Sequence, residues 1–143
     1  MKLTSFTDYS LRVLMFLAVQ PNELYTSKEI AKHFDIPINH MIKITHNLAK
    51  TGLITTQKGK HGGIRIAKDP KAINIGQTIR QLEPNFHIAE CFDSEGHTCR
   101  IVGNCKLQSI FFKAYTAFIG ELDKYTLADV ISNGIELREI FNN

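Results

Sequence analysis

Cys91, Cys99 and Cys105 are the only cysteines in this 143-residue chain, and they share one polar, glycine-punctuated stretch with the spacing C-x7-C-x5-C. Thiolates are soft ligands, and three on one loop can reach a single metal centre. The Cys-x-x-Cys pairs that mark zinc ribbons are absent. Wider spacing asks the loop to fold around a larger object, and an iron–sulfur cluster, whose irons are spread apart, suits that better than a lone tetrahedral zinc. The fourth ligand has several sources. His97, two residues before Cys99, would complete a Cys3His zinc site, and His87, Asp93, Glu95 or a group from a second chain are the others. An odd cysteine count points to metal or redox chemistry ahead of a disulfide framework. Cluster, zinc and a metal-free thiol switch all stand on spacing alone. No base lies beside a nucleophile here, so the stretch does not read as an enzyme's.

Elements on either side must position these thiols. Residues 83–104 have neither helical nor strand periodicity, and a loop of that length inside a compact domain is usually functional. A helix is expected at 105–125. Leu107, Ile110, Phe111, Ala114, Phe118, Leu122 and Tyr125 give it a stripe near heptad spacing, broadened by Phe112, Tyr115 and Ile119. A stripe that wide needs a second partner surface, most simply another copy of the chain. Thr126 and Asp129 open a short helix after it, and residues 132–143 are polar and expected to fray.

Before the loop, residues 3–19 read as a helix that is apolar over much of its circumference. Ser5 and Asp8 have the form of a capping box, and Asp8 and Arg12 are neighbours four residues apart on its polar face. Thr26 and Glu29 form a second box, opening a short helix through Phe34. After a turn at 35–37, Pro37 suits the first position of a helix reaching about Lys50, with Ile38, Met41, Ile42, Ile44 and Leu48 as its apolar positions and Gly52 as its stop. Two strand-like runs, 53–56 and 64–67, flank a basic, glycine-rich tip. Asn74 caps a helix at 75–82. The fold class is therefore mainly α with a small β-hairpin. A winged helix-turn-helix occupies 1–76, and the cysteine loop with dimerisation helices occupies 77–143, the two forming one compact domain.

Charge divides along the same line. Residues 1–75 carry 11 Lys and Arg against 5 acids, and residues 76–143 carry 6 against 9. A basic first half suits a polyanion. Asn39 and His40 start the third helix, where side chains reach base edges in a major groove, and Lys43 follows one turn later. Asn pairs bidentately with adenine, whereas Lys more often clamps phosphate. Thr26, Ser27 and Lys28 can offer donors to phosphate, and Lys58, Lys60, His61 and Arg65 on the wing can enter a narrow minor groove. The apolar run 13–19 is too short to cross a bilayer, and the first residues lack a signal-peptide cleavage pattern, so the chain reads as cytoplasmic with no membrane partner.

Several segments together resemble the NsrR/IscR/CymR family of bacterial winged-helix regulators. They are Thr7-Asp8-Tyr9-Ser10-Leu11-Arg12-Val13-Leu14, Ile36-Pro37, Gly52-Leu53-Ile54, Lys58-Gly59-Lys60-His61-Gly62-Gly63, Ile73-Asn74-Ile75-Gly76 and the three-cysteine loop. The resemblance spans about residues 1–131 and is strongest to the nitric-oxide-sensing branch. Lys106-Leu107-Gln108 lacks the histidine that the IscR branch carries there, and CymR-type regulators lack the three-cysteine loop. The first cysteine interval is longer than in many relatives. The resemblance implies a homodimeric repressor of a palindromic double-stranded operator that responds to nitric oxide. It implies a 4Fe–4S cluster on Cys91, Cys99 and Cys105, with Asp8 of the other subunit as fourth ligand. Arg12, one turn from Asp8, is placed to receive that carboxylate on release. The alternative cofactors are a 2Fe–2S cluster or zinc. The alternative functions are a same-family regulator of iron–sulfur or cysteine metabolism acting through zinc or thiol oxidation, and an electron-transfer protein, which the basic first half disfavours.

Overall fold

The computed structural model describes residues 2–93, 96 and 98–142, so Glu95 and His97 among the candidate ligands lie outside the described residues. In chain order the elements are α1 (Ser5–Ala18), α2 (Ser27–His33), α3 (Ile38–Lys50), β1 (Ile54–Gln57), β2 (Gly63–Ile66), α4 (Ile75–Leu82), α5 (Lys106–Leu122), α6 (Leu127–Val130) and α7 (Gly134–Asn142). Single 3-10 turns lie at Pro70–Ala72 and Glu90–Phe92. The mainly helical fold with one hairpin is the expected class.

Helix α1 is the centre. Val13, Leu14 and Leu17 are fully buried, and α3, β2, α4, α6 and α7 all pack against it. Thr4 caps it, accepting from the Thr7 N–H at 3.3 Å. The expected Ser5–Asp8 capping box does not form, because the helix starts one residue earlier than that box needs, with Thr4 at the cap, and the Asp8 carboxylate faces Arg12 at 2.8 Å. Glu83, at the start of the cysteine loop, accepts from both the N–H and the hydroxyl of Thr4 at 3.2 Å.

The helix-turn-helix follows from caps and a tight turn. Glu29 accepts from the Thr26 N–H and hydroxyl at 2.7 Å, and Thr26 Oγ1 accepts from the Glu29 N–H at 3.2 Å, the box expected from spacing. Asp35 turns the chain in the left-handed region at φ 51. Pro37 sits at the cap of α3, one position earlier than expected. Gly52, at φ 71, ends α3 as expected, in a conformation that a side chain would strain. Strands β1 and β2 pair antiparallel from Ile54 opposite Ile66 to Gln57 opposite Gly63.

The wing is tied to the core by Tyr25. Its backbone exchanges two hydrogen bonds with Ile64, at 3.1 and 2.8 Å. Its ring meets Phe16 edge-on at 4.7 Å. Burial, and then the Glu23 carboxylate that accepts from its hydroxyl, push the Tyr25 pKa up to about 12.

Helices α4 and α5 meet at a fixed joint. Ile75, Ile79 and Leu82 turn inward from α4 as expected. The Arg80 guanidinium forks onto both Asp123 oxygens at 2.7 and 2.6 Å, and Asn74 Nδ2 donates to the Asp123 carbonyl at 2.7 Å. A Cβ on Gly76 would stand 2.1 Å from Asp123 Oδ1, so only glycine allows this approach.

Two expectations about the C-terminal part change. On α5 the inward row is Gln108, Phe111, Tyr115, Ile119 and Leu122, with Ile119 buried. Leu107, Ile110, Phe112 and Phe118 face outward, at 53%, 58%, 60% and 37% exposure, so the expected stripe is two rows and one of them is uncovered. Residues expected to fray form α7 instead. Phe141 packs its ring on Phe16, His33 and Phe34 at 5.4 to 6.0 Å, and Arg138 pairs with Glu23 at 3.6 Å.

Phe141→Ala should therefore lower stability by about 1–2 kcal/mol, below the cost for a fully buried ring, as read from urea midpoints. Hydrogen bonds from Thr26 hold Glu29 below the usual carboxylate range, and those from Arg80 and Thr126 do the same for Asp123 and Asp129. Depressed folded-state values mean that this stabilisation is complete at neutral pH and is lost as pH falls through them. Stability should decline below about pH 4, and Asp123→Asn should flatten that decline.

Candidate functional site

Two places on the molecule carry chemistry. The first is the outer face of α3 with the wing beside it. The inward row of α3 is Met41, Ile44, Thr45 and Leu48. One helical row to the side, Asn39, Ile42, Lys43, His46 and Lys50 face solvent, with Ile38 at the end. Ile38 and Ile42 were expected in the core, yet they are 42% and 50% exposed. A 3.6-residue turn that buries 41, 44, 45 and 48 swings 42 toward the outer face, and Ile38, the first residue of the helix, lies beyond the end of the buried stripe.

His40 behaves differently from its neighbour Asn39. It is half-buried, with its ring against Phe6 at 6.3 Å and Tyr9 at 5.6 Å, so it fastens the start of α3 to α1. Thr26 is occupied by its capping box, the Ser27 and Thr45 hydroxyls share a hydrogen at 3.2 Å, and Lys28 is exposed.

Lys58, Lys60, His61 and Arg65 are all exposed on the wing. Gly59, at φ 108, lets the tip turn, and a Cβ on Gly62 would stand 2.1 Å from the Gln57 carbonyl oxygen. Between wing and helix runs a groove of about 410 Å³, lined by Thr26, Ser27, Ile42, His46, Gln57 and Gly62 among others. Lys28, Lys43, Lys50, Lys58, Lys60 and Arg65 are exposed on the elements that form it, and no ion pair among the described residues occupies any of them. Free cations around a channel between a helix and a hairpin match the charge and shape of a duplex. Sequence reasoning missed Ile42 and His46. The signal was present in the row 39, 42, 43, 46, 50, a helical face that the apolar count alone obscured.

The second place is the cysteine loop. Cys91 lies in the 3-10 turn, Cys99 follows, and Cys105 is the residue that enters α5. All three are unpaired and half-buried. Gln108 Nε2 donates to the Cys91 carbonyl at 3.1 Å, pinning the first cysteine to α5. Glu90 Oε1 accepts from the Thr98 N–H and hydroxyl at 2.5 and 2.7 Å, bringing together the residues next to Cys91 and Cys99. Among the described residues, no three His, Cys, Asp or Glu side chains converge on a point that could hold a metal ion. The donor set nonetheless fits a soft metal group, with three free thiols on one loop held by polar clasps on both sides. His87 is exposed and Asp93 half-buried. Asp8 lies on α1, paired with Arg12, and both side chains are about half exposed. Arg12 also stands 5.6 Å from the Tyr9 ring centroid.

Comparison with known proteins bears on both places. The model of the Rrf2 family, described as iron-dependent transcriptional regulators, matches residues 3–133. A regulator from Shouchella clausii, the HTH-type transcriptional regulator NsrR, is 45% identical over 98% of this chain and 95% of its own length. The NsrR of Bacillus subtilis is 43% identical over 98% and 97%. Among solved structures, CymR of B. subtilis, the global cysteine regulator, superposes with a TM-score of 0.73 at 21% identity, over 93% of this chain and 98% of that one. The IscR of T. potens gives 0.69 at 23% identity, over 93% and 88%. No helix among the described residues is long and apolar enough to cross a membrane.

Lys43→Ala should weaken binding to every duplex and reduce the salt dependence by about one phosphate contact, read from affinities at several salt concentrations. Asn39→Ala should instead alter preference at one base pair, by about 1–3 kcal/mol.

Proposed function

This chain belongs to the Rrf2 family of transcriptional regulators, and from that premise we propose a homodimeric repressor that senses nitric oxide. The relatives named NsrR, alike over nearly the whole length, support the family branch. The observation that carries the switch is the Asp8–Arg12 pair at 2.8 Å on α1.

Cys91, Cys99 and Cys105 would hold a 4Fe–4S cluster, with Asp8 of the partner subunit as fourth ligand. When bound, the cluster supplies iron that reacts with nitric oxide at its one non-thiolate position. A carboxylate is a harder ligand than thiolate and is the more labile position of the four. Away from such a cluster Asp8 would be held on its own subunit by Arg12, one turn along α1, in the geometry seen here. The uncovered row of α5, Leu107, Ile110 and Phe118, supports the second subunit that this arrangement needs. Asp8 sits on the helix that also holds α3 through Phe6, Tyr9 and His40. Moving Asp8 between the partner's thiols and Arg12 would displace α1, and with it the two α3 helices from the spacing that palindromic half-sites require, about 34–36 Å.

Anaerobic purification should give a brown protein containing iron, whose visible absorbance collapses on addition of nitric oxide. A colourless anaerobic protein with stoichiometric zinc would overturn the cluster reading. Asp8→Ala should fold normally and hold its iron less firmly. If iron retention and nitric oxide response are unchanged, the fourth ligand is another group, His97 being next in line.

A further inference from the structure

The outward face of α3 carries one feature that phosphate contacts do not use. Ile42 flanks the row Asn39, Lys43, His46 and Lys50 on the side of the wing groove, and it is 50% exposed. It is not among the residues of the core, which its neighbours Met41 and Ile44 enter fully buried. Its side chain borders the groove between α3 and the wing, among the hydroxyls of Thr26 and Ser27 and the ring of His46. Single exposed apolar residues are common and need no explanation by themselves. What distinguishes this one is its setting. Lys43 and Lys50 are exposed on the same helix, Lys58 and Lys60 are exposed on the wing whose Gln57 and Gly62 line the same groove, and no ion pair among the described residues engages any of the four. A protein partner matched to an exposed isoleucine would bring apolar surface, which these free cations oppose. A duplex brings phosphates to them.

The major groove displays a single apolar group, the 5-methyl of thymine. Resting on the DNA-binding reading above, we infer that Ile42 reads that methyl and makes a thymine the required base at one position of each half-site. The neighbours agree in chemistry. Asn39, one turn earlier on the same face, has the amide that pairs with adenine N6 and N7. Of the two side chains that read guanine bidentately, arginine and lysine, α3 holds only Lys43 and Lys50. Asn39 and Ile42 equip the same face for an A·T pair. Ile42 supplies the part of that readout with no hydrogen bond in it, and its contribution does not depend on salt.

The test removes the methyl from the DNA and the side chain from the protein. Duplexes are selected from a random library with the full-length protein purified anaerobically, and the selected sequence is resynthesised with deoxyuridine replacing thymidine one position at a time. At one thymine per half-site the wild type should lose affinity by roughly fourfold, the worth of one buried methyl. Ile42→Ala should bind the parent duplex correspondingly more weakly and be indifferent to deoxyuridine at that position alone, at low and high salt alike. If every deoxyuridine substitution affects both proteins equally, or none affects the wild type, the assignment of Ile42 is wrong while DNA binding stands. If the library yields no enriched duplex, DNA reading itself fails and the assignment falls with it. The wild-type arm does not depend on how the variant folds.

Discussion

Burial of α1 is the constraint on which the rest depends. A 14-residue helix that is apolar on nearly all sides cannot be left at a surface, and α3, β2, α4, α6 and α7 each cover part of it. Covering it fixes the position of α3, because Met41, Ile44 and Leu48 are the side chains that face it from below the reading surface. The same enclosure leaves α1 only a narrow polar face, and Asp8 and Arg12 occupy it. One buried cylinder thus joins the surface that meets DNA to the residues proposed for sensing. A displacement of α1 cannot be absorbed locally, since close-packed interiors transmit strain.

The cysteine loop is held to this core at three places. Glu83 grips Thr4 at the cap of α1, Gln108 grips Cys91 from α5, and the Glu90–Thr98 clasp draws the loop together between them. Each clasp is polar and partly exposed, so it orders the loop at modest energy. That is the expected construction for a segment whose conformation must respond to a ligand. The thiols therefore sit in a loop that is positioned yet yielding, beside an uncovered apolar helix face.

Much of the fold was legible in the sequence, and the reasons are local. The Thr26–Glu29 box, the Asn74 cap and the Gly52 stop are short-range hydrogen bonds and a dihedral preference that a few residues determine. What escaped is what tertiary packing decides. Ser5 and Asp8 have capping-box spacing, but Thr4 takes the cap because the chain enters α1 one residue earlier. Ile42 counts as apolar in any periodicity, and only the angle at which α3 sits on α1 sends it outward. Phe141 lies in a polar tail, and its contact with Phe16, His33 and Phe34 joins residues more than a hundred apart. The cysteines were visible from the first reading. The fourth ligand proposed above was not, because a bond supplied by another copy of the chain would leave no local pattern.

The Arg80–Asp123 fork, with Gly76 pressed beneath it, gives the molecule a mechanical property. A bidentate contact resists rotation about its own axis in a way that a single hydrogen bond does not. Helix α5, 17 residues and so about 25 Å long, is thereby clamped to α4 at its Asp123 end and is uncovered along its outer side. Pivoting about that joint by about 5° would carry the opposite end, where Cys105 enters the helix, by about 2 Å and leave the clamped end in place.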